Sequence, residues 1–384
     1  MSTALQITMF REFNYGSALQ TYAMQTIIER LGYDCRTVDY PNQASSRPRF
    51  SLRLSSFRKW ISYLRTWIRL YRKYNNFIKA ELHLTRPYYS SEEIGSFEPP
   101  ANLYITGSDQ TFNPMFIHDD PAYLLGFVSK NRDITARKIS YASSFAISKI
   151  PREHEDFYKK YLADYDAIST REESGVRIVQ RLLKRDDAVR CCDPTLLLSR
   201  KDWVGLADKS KVSLPSGKYI LVYILTYMVD PYPDMYSFIE EAQQKTGFRV
   251  VFLCGRPRDK KIQNSISINN ASPYDFVELF LNASFIITSS FHGTVFSLHS
   301  GVPFASCVNS NKDTDSRVSN LLRCICGSHH EVTIPMSRAV KFGDISNWAT
   351  TDRELAMIDK ERGRSLSWLS DAMRGTISNT EVRV

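Results

Sequence analysis

The segment Phe-Ile-Ile-Thr-Ser-Ser-Phe-His-Gly-Thr, residues 285–294, runs directly into the apolar stretch Val295 to His299. The first four residues predict a buried strand and the stretch from Val295 predicts a helix, so a polar turn joins the two. The first turn of a helix presents unpaired backbone N–H groups and the positive end of the helix dipole. The turn residues are therefore candidate ligands of a phosphate or carboxylate: Ser289, Ser290, His292, Gly293 and Thr294. From the local sequence alone, a structural histidine is an equally good interpretation of His292.

Strand-like and helix-like segments alternate along most of the remaining chain, as in parallel sheets flanked by helices. The predicted strands of the first half are Leu5 to Phe10, Cys35 to Tyr40, Leu103 to Thr106, Lys138 to Ser143 and Ala167 to Ser169. Those of the second half are Tyr219 to Leu225, Arg249 to Cys254, Phe285 to Thr288 and Pro303 to Cys307. The predicted helices cover residues 17–31, 172–183, 234–246 and 273–283. The sequence predicts an α/β fold with two Rossmann-like domains facing a cleft, where ligands bind at the carboxyl ends of the strands.

The length of the chain agrees with two domains, because 384 residues are more than one compact core requires. We expect residues 1–205 to form the first domain, with a basic helical insertion at about 42–100, and residues 206–340 to form the second. Residues 341–384 are expected to form a helix and a tail. The helix is expected to begin at Asp352, because Thr351 and Glu354 have the spacing of a capping box. A terminal helix of this kind can cross back to the first domain.

Composition and cysteine usage indicate a cytoplasmic protein. The seven cysteines are scattered and odd in number, which is typical of reduced thiols rather than disulfides. The N-terminus has no basic segment followed by an apolar one, and no apolar run approaches the ~18 residues of a membrane span. We therefore expect a protein that is neither secreted nor integral to a membrane.

The net charge of +9 is concentrated in one segment. Residues 42–80 contain ten Arg or Lys and no acid, whereas the rest of the chain has 40 basic and 41 acidic residues. Apolar residues at helical spacing, among them Trp60 and Trp67, predict a basic amphipathic helix. Such a helix either packs its apolar face on its own domain, which is the commoner arrangement, or lies on an anionic membrane surface. No nucleic-acid partner is expected, because no recognised nucleic-acid motif is present.

Two further predicted strands end in polar residues. Gly107-Ser108-Asp109-Gln110 follows the strand that ends at Thr106, where the glycine allows close backbone approach and Asp109 is a candidate base. A Gly-Ser-Asp turn is also a common loop structure. Arg171 follows the strand at Ala167 to Ser169 and is a candidate two-pronged clamp for an anion.

The alternative for Arg171 is a surface arginine paired with Glu172 or Glu173. Arg256 and Arg317 repeat the pattern, because each follows a predicted strand of the second half. Basic side chains after several strands indicate an anionic ligand.

Other common chemistries fit the sequence poorly. Cys324, Cys326, His329 and His330 form a compact set, but their spacing matches no standard zinc site, and we interpret them as structural. The sequence has no phosphate-binding P-loop, no dinucleotide fingerprint and no nucleophile elbow. Hydride transfer and serine hydrolysis are therefore unsupported.

Taken together, the short motifs of this chain resemble those of the polysaccharide pyruvyl transferase family. The resemblance covers residues 5 to about 325 and rests on seven motifs in register. They are residues 14–20 (Asn-Tyr-Gly-Ser-Ala-Leu-Gln), Gly107 to Gln110 with Asn113-Pro114, Ile139 to Phe145, Ser169 to Glu173, Asp193 to Leu197, Ser289 to Thr294 with Pro303-Phe304, and Ser316-Arg317.

The resemblance implies a GT-B-like fold and transfer of pyruvate from phosphoenolpyruvate to a sugar as a cyclic ketal. By position, Arg171 and His292 look like ligands of phosphoenolpyruvate, with His292 the acid or phosphate ligand. Some members of the family have Arg-Leu-His where this chain has Ser290-Phe291-His292, so Arg317 or Arg256 would have to supply the cation.

Under the same resemblance, Asp109 is the expected base. Further substrate contacts are expected from the family motifs at Asn14, Gly16, Ser108 and Gln110. The scheme requires no metal and no organic cofactor. The expected acceptor is a saccharide of a polysaccharide or of its lipid-linked precursor, at the inner face of the cell membrane.

Two other functions stay open at this point. A glycosyltransferase that uses a nucleotide sugar has the same architecture and would hold a diphosphate at the same helix terminus. A scaffold without catalytic activity, attached to the membrane during glycan assembly, would need only the basic segment.

Overall fold

The computed structural model describes residues 2–40, 57–128, 135–226, 230–254, 262–309, 317–334 and 341–377, with the backbone alone over 57–65. The chain divides into two compact units. The first is bounded by Met1–Phe50, Ile78–Leu198 and Asp359–Val384, and the second by Ser51–Phe77 and Ser199–Ile358. Each unit is built around one parallel sheet with helices.

The first unit has a seven-stranded sheet in the order β3-β2-β1-β4-β5-β6-β7, and the pairs are parallel. Its strands are β1 (Ser2–Ile7), β2 (Tyr33–Asp39), β3 (Leu84–Pro87), β4 (Leu103–Thr106), β5 (Arg137–Ser143), β6 (Ala167–Thr170) and β7 (Val189–Arg190). Every residue of β4 and β6 is buried, as expected for central strands covered on both faces.

The helices up to the end of this sheet are α1 (Tyr15–Arg30), α2 (Phe57–Glu81), α3 (Ser91–Ile94), α4 (Pro114–Ile117), α5 (Arg152–Leu162), α6 (Glu173–Leu183) and α7 (Pro194–Leu197). A short 3-10 helix covers Pro121–Leu124. The side chain of Asn14 caps α1 by accepting from the backbone N–H groups of Gly16 and Ser17. This cap places the residues after β1 at the carboxyl edge of the sheet.

The second unit has a six-stranded parallel sheet in the order β10-β9-β8-β11-β12-β13. Its strands are β8 (Tyr219–Tyr223), β9 (Arg249–Leu253), β10 (Ser265–Ile268), β11 (Phe285–Thr288), β12 (Phe304–Asn309) and β13 (Glu331–Ile334). The remaining helices are α8 (Arg200–Ala207), α9 (Asp234–Thr246), α10 (Pro273–Leu281), α11 (Phe291–Ser300), α12 (Arg317–Cys324) and α13 (Asp352–Arg374). Short 3-10 helices cover Ser328–His330 and Ile345–Trp348.

The helix α13 has its C-terminal part in the first unit. The Oγ of Ser365 accepts from the backbone N–H of Cys192 at 3.0 Å, and the Nε of Arg362 donates to the carbonyl of Leu196 at 2.7 Å. Residues from the far end of the chain therefore complete the edge of the first sheet beside β7. Among the described helices, none has the length and apolarity needed to cross a bilayer.

The predicted fold class is confirmed, and the buried strands Leu103–Thr106 and Phe285–Thr288 have the predicted ends. The first strand is Ser2–Ile7 rather than Leu5 to Phe10, because the chain leaves the sheet before the turn that caps α1. Four strands were not predicted from the sequence: β3, β7, β10 and β13. All four are short edge strands, and none is buried along its whole length, so they lack a continuous apolar run.

Two glycines allow a helix to approach a strand closely. A Cβ added to Gly293 would lie 2.2 Å from the Oγ1 of Thr288 and 3.1 Å from the Cδ1 of Tyr223. In the first unit, a Cβ on Gly175 would lie 2.8 Å from the Cβ of Thr170. Both glycines are in the first part of the helix that follows the strand, and both are five residues after the threonine. The strand-to-helix turn of each unit therefore depends on a missing side chain.

We predict that Gly293→Ala lowers the free energy of unfolding by about 1–3 kcal/mol, since the added methyl must displace a buried threonine. Gly205→Ala in α8 is the matched control, because no atom lies within 4 Å of the added Cβ. That control should be neutral or stabilising by up to about 1 kcal/mol, as alanine favours helix. Urea-induced unfolding of the two variants measures the difference, and equal midpoints would contradict the close-approach argument.

Candidate functional site

The first unit has a buried ion pair at the carboxyl edge of its sheet. Arg171 directly follows β6, and its Nη1 donates to the Oδ2 of Asp193 at 2.7 Å. Asp193 lies after β7, and its side chain is fully buried, while that of Arg171 is 3% exposed. A pair this far from water is stable only when hydrogen bonds satisfy the remaining polar atoms.

Neighbouring residues supply such bonds to Asp193. The Oδ1 of Asp193 accepts from the backbone N–H and the hydroxyl of Thr195, at 3.0 and 2.7 Å. The Oδ2 also accepts from the hydroxyl of Ser108 at 3.2 Å. The Nη2 of Arg171 lies 3.8 Å from the Oδ1 of Asp109. Arg171, which follows β6, thus has its guanidinium beside residues that follow two other strands of the sheet, β4 and β7.

Arg171 is buried, so the alternative prediction of a surface arginine is wrong. Glu172 is buried and accepts from the hydroxyl of Ser144 at 2.8 Å and from the N–H of Ala146 at 2.9 Å. Glu173 instead lies 3.2 Å from the Nε of Arg190. Neither glutamate forms the predicted pair, because the turn after β6 directs Arg171 inward to Asp193.

Asp109, the predicted base, is fixed by its neighbours. Its Oδ2 accepts from the hydroxyl of Ser17 at 2.6 Å, and its Oδ1 accepts from the backbone N–H of Gln110 at 3.0 Å. Its backbone φ of 65° lies in the left-handed region, which aspartate tolerates better than most residues. The preceding Gly107 has a φ of 109°. A Cβ there would lie 2.3 Å from the carbonyl oxygen of Tyr141.

Glu12 provides a second carboxyl group near Asp109, which was not predicted from the sequence. Burial, followed by the nearby charge of Asp109, raises the pKa of Glu12 to about 7. Glu12 follows β1 and is half-buried, between the exposed residues Arg11 and Phe13. This partial burial arises from tertiary packing, and no local pattern indicates it. A carboxyl group with this pKa can gain or lose a proton near neutral pH.

The other predicted contacts of this unit have structural partners. Asn14 and Gly16 form the N-terminal cap of α1. The side-chain Oε1 of Gln110 accepts from the Nδ2 of Asn113 at 2.7 Å. The single hydroxyl proton of Ser108 is shared between the carbonyl of Ala142, at 2.9 Å, and the Oδ2 of Asp193, at 3.2 Å. A role of these residues in substrate binding stays a prediction.

The second unit has the strand-to-helix turn between β11 and α11. Ser290 is the N-cap of α11, and its hydroxyl accepts from the N–H of Gly293 at 3.3 Å. The hydroxyl of Ser289 accepts from the N–H of Leu225 at 2.9 Å. Thr294 is fully buried, donates to the carbonyl of Ser290 at 3.1 Å and contacts the hydroxyl of Ser306 at 2.8 Å. The hydroxyl groups of Ser290 and Thr294 therefore shape the turn.

His292 lies in the first turn of α11 and is 6% exposed, with its ring centroid 5.3 Å from that of Phe291. Arg317 is buried and is the first residue of α12. Arg256 lies outside the described residues. The predicted imidazole and one predicted cation are thus present in the same unit, each at the start of a helix.

Comparison with known proteins identifies both fold and family. The sequence model described as "Polysaccharide pyruvyl transferase" matches residues 14–311. The chain is similar in structure to Arabidopsis thaliana UGT89C1 complexed with UDP-L-rhamnose, with a TM-score of 0.51, 10% identity, and coverage of 97% of this chain and 99% of that one. It is also similar to the glycotransferase of kitacinnamycin, with a TM-score of 0.50, 12% identity, and coverage of 98% and 97%. These similarities show a GT-B-like fold. No curated protein sequence matches the chain.

We predict that Asp193→Asn lowers the free energy of unfolding by about 3 kcal/mol, because it leaves the buried charge of Arg171 without its partner. Asp156→Asn is the control, since that side chain is 98% exposed and lies 3.3 Å from Lys159. Loss of an exposed pair should change stability by less than about 1 kcal/mol. Chemical denaturation measures the free energy of unfolding of the two variants. An equal decrease in both would show that the buried pair stabilises the fold no more than the exposed one.

Proposed function

Because the chain belongs to the polysaccharide pyruvyl transferase family, we propose that it transfers pyruvate from phosphoenolpyruvate to a sugar as a cyclic ketal, with release of phosphate. The observation that supports this most is the buried ion pair between Arg171 and Asp193. Both residues follow strands within residues 14–311, which the family model matches. A planar, permanently charged guanidinium suits a carboxylate or a phosphate, and phosphoenolpyruvate has both.

The proposed reaction sets the requirements for the site. One sugar hydroxyl bonds to C2 of the donor, and the CH2 group gains a proton and becomes a methyl group. The C2–O bond to phosphate then breaks, and a second sugar hydroxyl bonds to C2 and closes the ketal. Of the two hydroxyl protons, one is balanced by the new methyl group and the other leaves with phosphate. The enzyme must therefore hold two anionic groups and move protons.

We assign the carboxylate of the donor to Arg171. Asp193 accepts from its Nη1 at 2.7 Å and Asp109 lies 3.8 Å from its Nη2, and we infer that the two carboxylates orient the guanidinium plane. A fixed plane lowers the entropy lost when a carboxylate binds in two-pronged geometry. Asp193 is thus a positioning residue that acts through Arg171.

We assign the acid to His292, whose position in the first turn of α11 also favours phosphate. Ser290 stands where some relatives have arginine, and its hydroxyl is used as the helix cap. Arg317, or Arg256, is the proposed source of the missing positive charge. Asp109 is the proposed base, and Glu12, with a pKa of about 7, is suited to accept its proton.

The proposed acceptor is a saccharide of a polysaccharide or of its lipid-linked precursor. The proposed location is the cytoplasm, with peripheral attachment to the inner face of the membrane. The basic helix α2 supports attachment, although its C-terminal part packs on its own unit. Phe77 is buried with its ring 5.0 Å from that of Tyr274, and the Nζ of Lys73 lies 2.9 Å from Asp275. Tyr71, in contrast, is exposed and stacks on Trp67.

We predict that His292→Ala lowers turnover with phosphoenolpyruvate and a saccharide acceptor by about 10²-fold to 10⁴-fold, as loss of a general acid does. Arg171→Lys should raise KM for phosphoenolpyruvate, because an ammonium cannot replace the planar fork. Arg181→Lys is the control and should change neither constant. Arg181 is 46% exposed, and its contact with Glu155 is long, at 3.9 Å.

Phosphate release and mass spectrometry of the acceptor measure this reaction. The expected product is heavier by one pyruvate ketal, and equal activity in all three variants would refute the assigned roles. A thermal shift with UDP or GDP but not with phosphoenolpyruvate would refute the donor and support a nucleotide-sugar glycosyltransferase. Normal glycan in cells that carry His292→Ala and Arg171→Ala would support a scaffold.

For the basic segment, we predict sedimentation with anionic but not neutral vesicles, weakening as salt rises because the attraction is screened over about 8 to 10 Å. Replacement of Arg58, Lys59, Arg65, Arg69 and Arg72 by Gln should abolish sedimentation and leave activity on a soluble acceptor unchanged. Equal vesicle binding or misfolding of this variant would show that the helix is a packed internal element.

A further inference from the structure

Three side chains with metal-binding atoms meet in the second unit, away from the turn at α11. His329 and His330 belong to the 3-10 helix Ser328–His330, and Glu354 lies in the first turn of α13. One donor atom from each lies within 4.8 Å of the other two. His330 and Glu354 are buried, while the side chain of His329 is 36% exposed and gives access from solvent.

The hydrogen bonds of His330 fix its tautomer when the ring is neutral. Its Nδ1 lies 3.0 Å from the carbonyl oxygen of Phe304, which can only accept, so Nδ1 carries a proton. The other nitrogen, Nε2, lies 2.9 Å from the Oε1 of Glu354. An Nδ1–H bond to a backbone carbonyl is the arrangement that orients a metal-binding imidazole.

A neutral ring makes the contact with Glu354 unfavourable unless something positive lies between the two atoms. Because Nδ1 donates to the carbonyl of Phe304, the Nε2 lone pair of the neutral ring faces a carboxylate oxygen that is also an acceptor. Only a proton or a cation bridges two acceptors at this distance.

We propose that Nε2 of His330, Glu354 and His329 bind a divalent cation of borderline softness, with Zn²⁺ as the fitting class. Two imidazoles and one carboxylate form a donor set that suits this ion, and water completes a tetrahedral shell. The cation takes the position between the two acceptors.

The residues around these ligands support a metal site. The Oε2 of Glu354 accepts from the backbone N–H and the hydroxyl of Thr351, at 2.7 and 2.8 Å, which holds the carboxylate in place. Gly327 leaves room, because a Cβ there would lie 2.5 Å from the Oε1 of Glu354. Orientation of this kind is typical of the shell around metal ligands.

The site would join the first turn of α13 to the segment before β13. Glu354 already caps α13 through Thr351, and the cation adds a bond from the same carboxylate to His329 and His330. Bound Zn²⁺ should therefore stabilise the folded state, and the stabilisation should rise with the logarithm of the ratio of Zn²⁺ concentration to Kd once that ratio is large.

The test uses the full chain after treatment with chelator, titrated with ZnCl2 or MgCl2 in calorimetry and thermal unfolding. We expect Zn²⁺, but not Mg²⁺, to bind and to raise Tm. His329→Ala, at the exposed edge, and Glu354→Gln, which keeps the capping geometry, should each weaken Zn²⁺ binding at least about tenfold. His154→Ala is the control, because His154 pairs with a single carboxylate, Asp119, at 2.8 Å.

Zn²⁺ binding that is equal in the wild type, His329→Ala and Glu354→Gln would place the ion elsewhere and overturn the proposal. Absence of Zn²⁺ binding to the wild type would show that a proton bridges His330 and Glu354, which is the structural role inferred from the sequence. If Glu354→Gln does not fold, the comparison of His329→Ala with His154→Ala decides alone.

Discussion

The buried contact between Arg171 and Asp193 is the interaction on which the edge of the first sheet depends. Removing both charges from water is costly, and the structure offsets this with the bonds from Thr195 and Ser108. Such bonds require the ends of β4, β6 and β7 to keep their register, since a shift of one residue would turn a side chain to the other face. The buried charges therefore keep their hydrogen bonds only while the strands keep their register. The proposed anion clamp, Arg171, depends on both.

The sequence predicts those strands and helices that a local pattern of apolar residues determines. Continuous apolar runs define Leu103–Thr106 and Phe285–Thr288, because central parallel strands are buried on both faces. Asp193 was visible only as part of a family motif, and Glu12 gave no signal at all. The partial burial of Glu12 and the inward direction of Arg171 arise from packing between segments far apart in the chain, which no local pattern encodes.

The two units solve a similar local problem in the same way. Each has a threonine at the end of a strand and a glycine five residues later, where the helix passes over the threonine side chain. The residues between them differ: the first unit has Arg171 and the second has His292. The same narrow turn therefore precedes or contains a guanidinium in one unit and an imidazole in the other.

The division of the chain has a consequence for biosynthesis. The first unit is interrupted twice, and its last segment begins at Asp359. A ribosome that has reached Leu198 has made every strand of the first sheet, yet Ser365 and Arg362, which bond to Cys192 and Leu196, are still untranslated. The N-terminal half therefore leaves the ribosome before its last native contacts exist, and exposed strand edges of this kind favour aggregation.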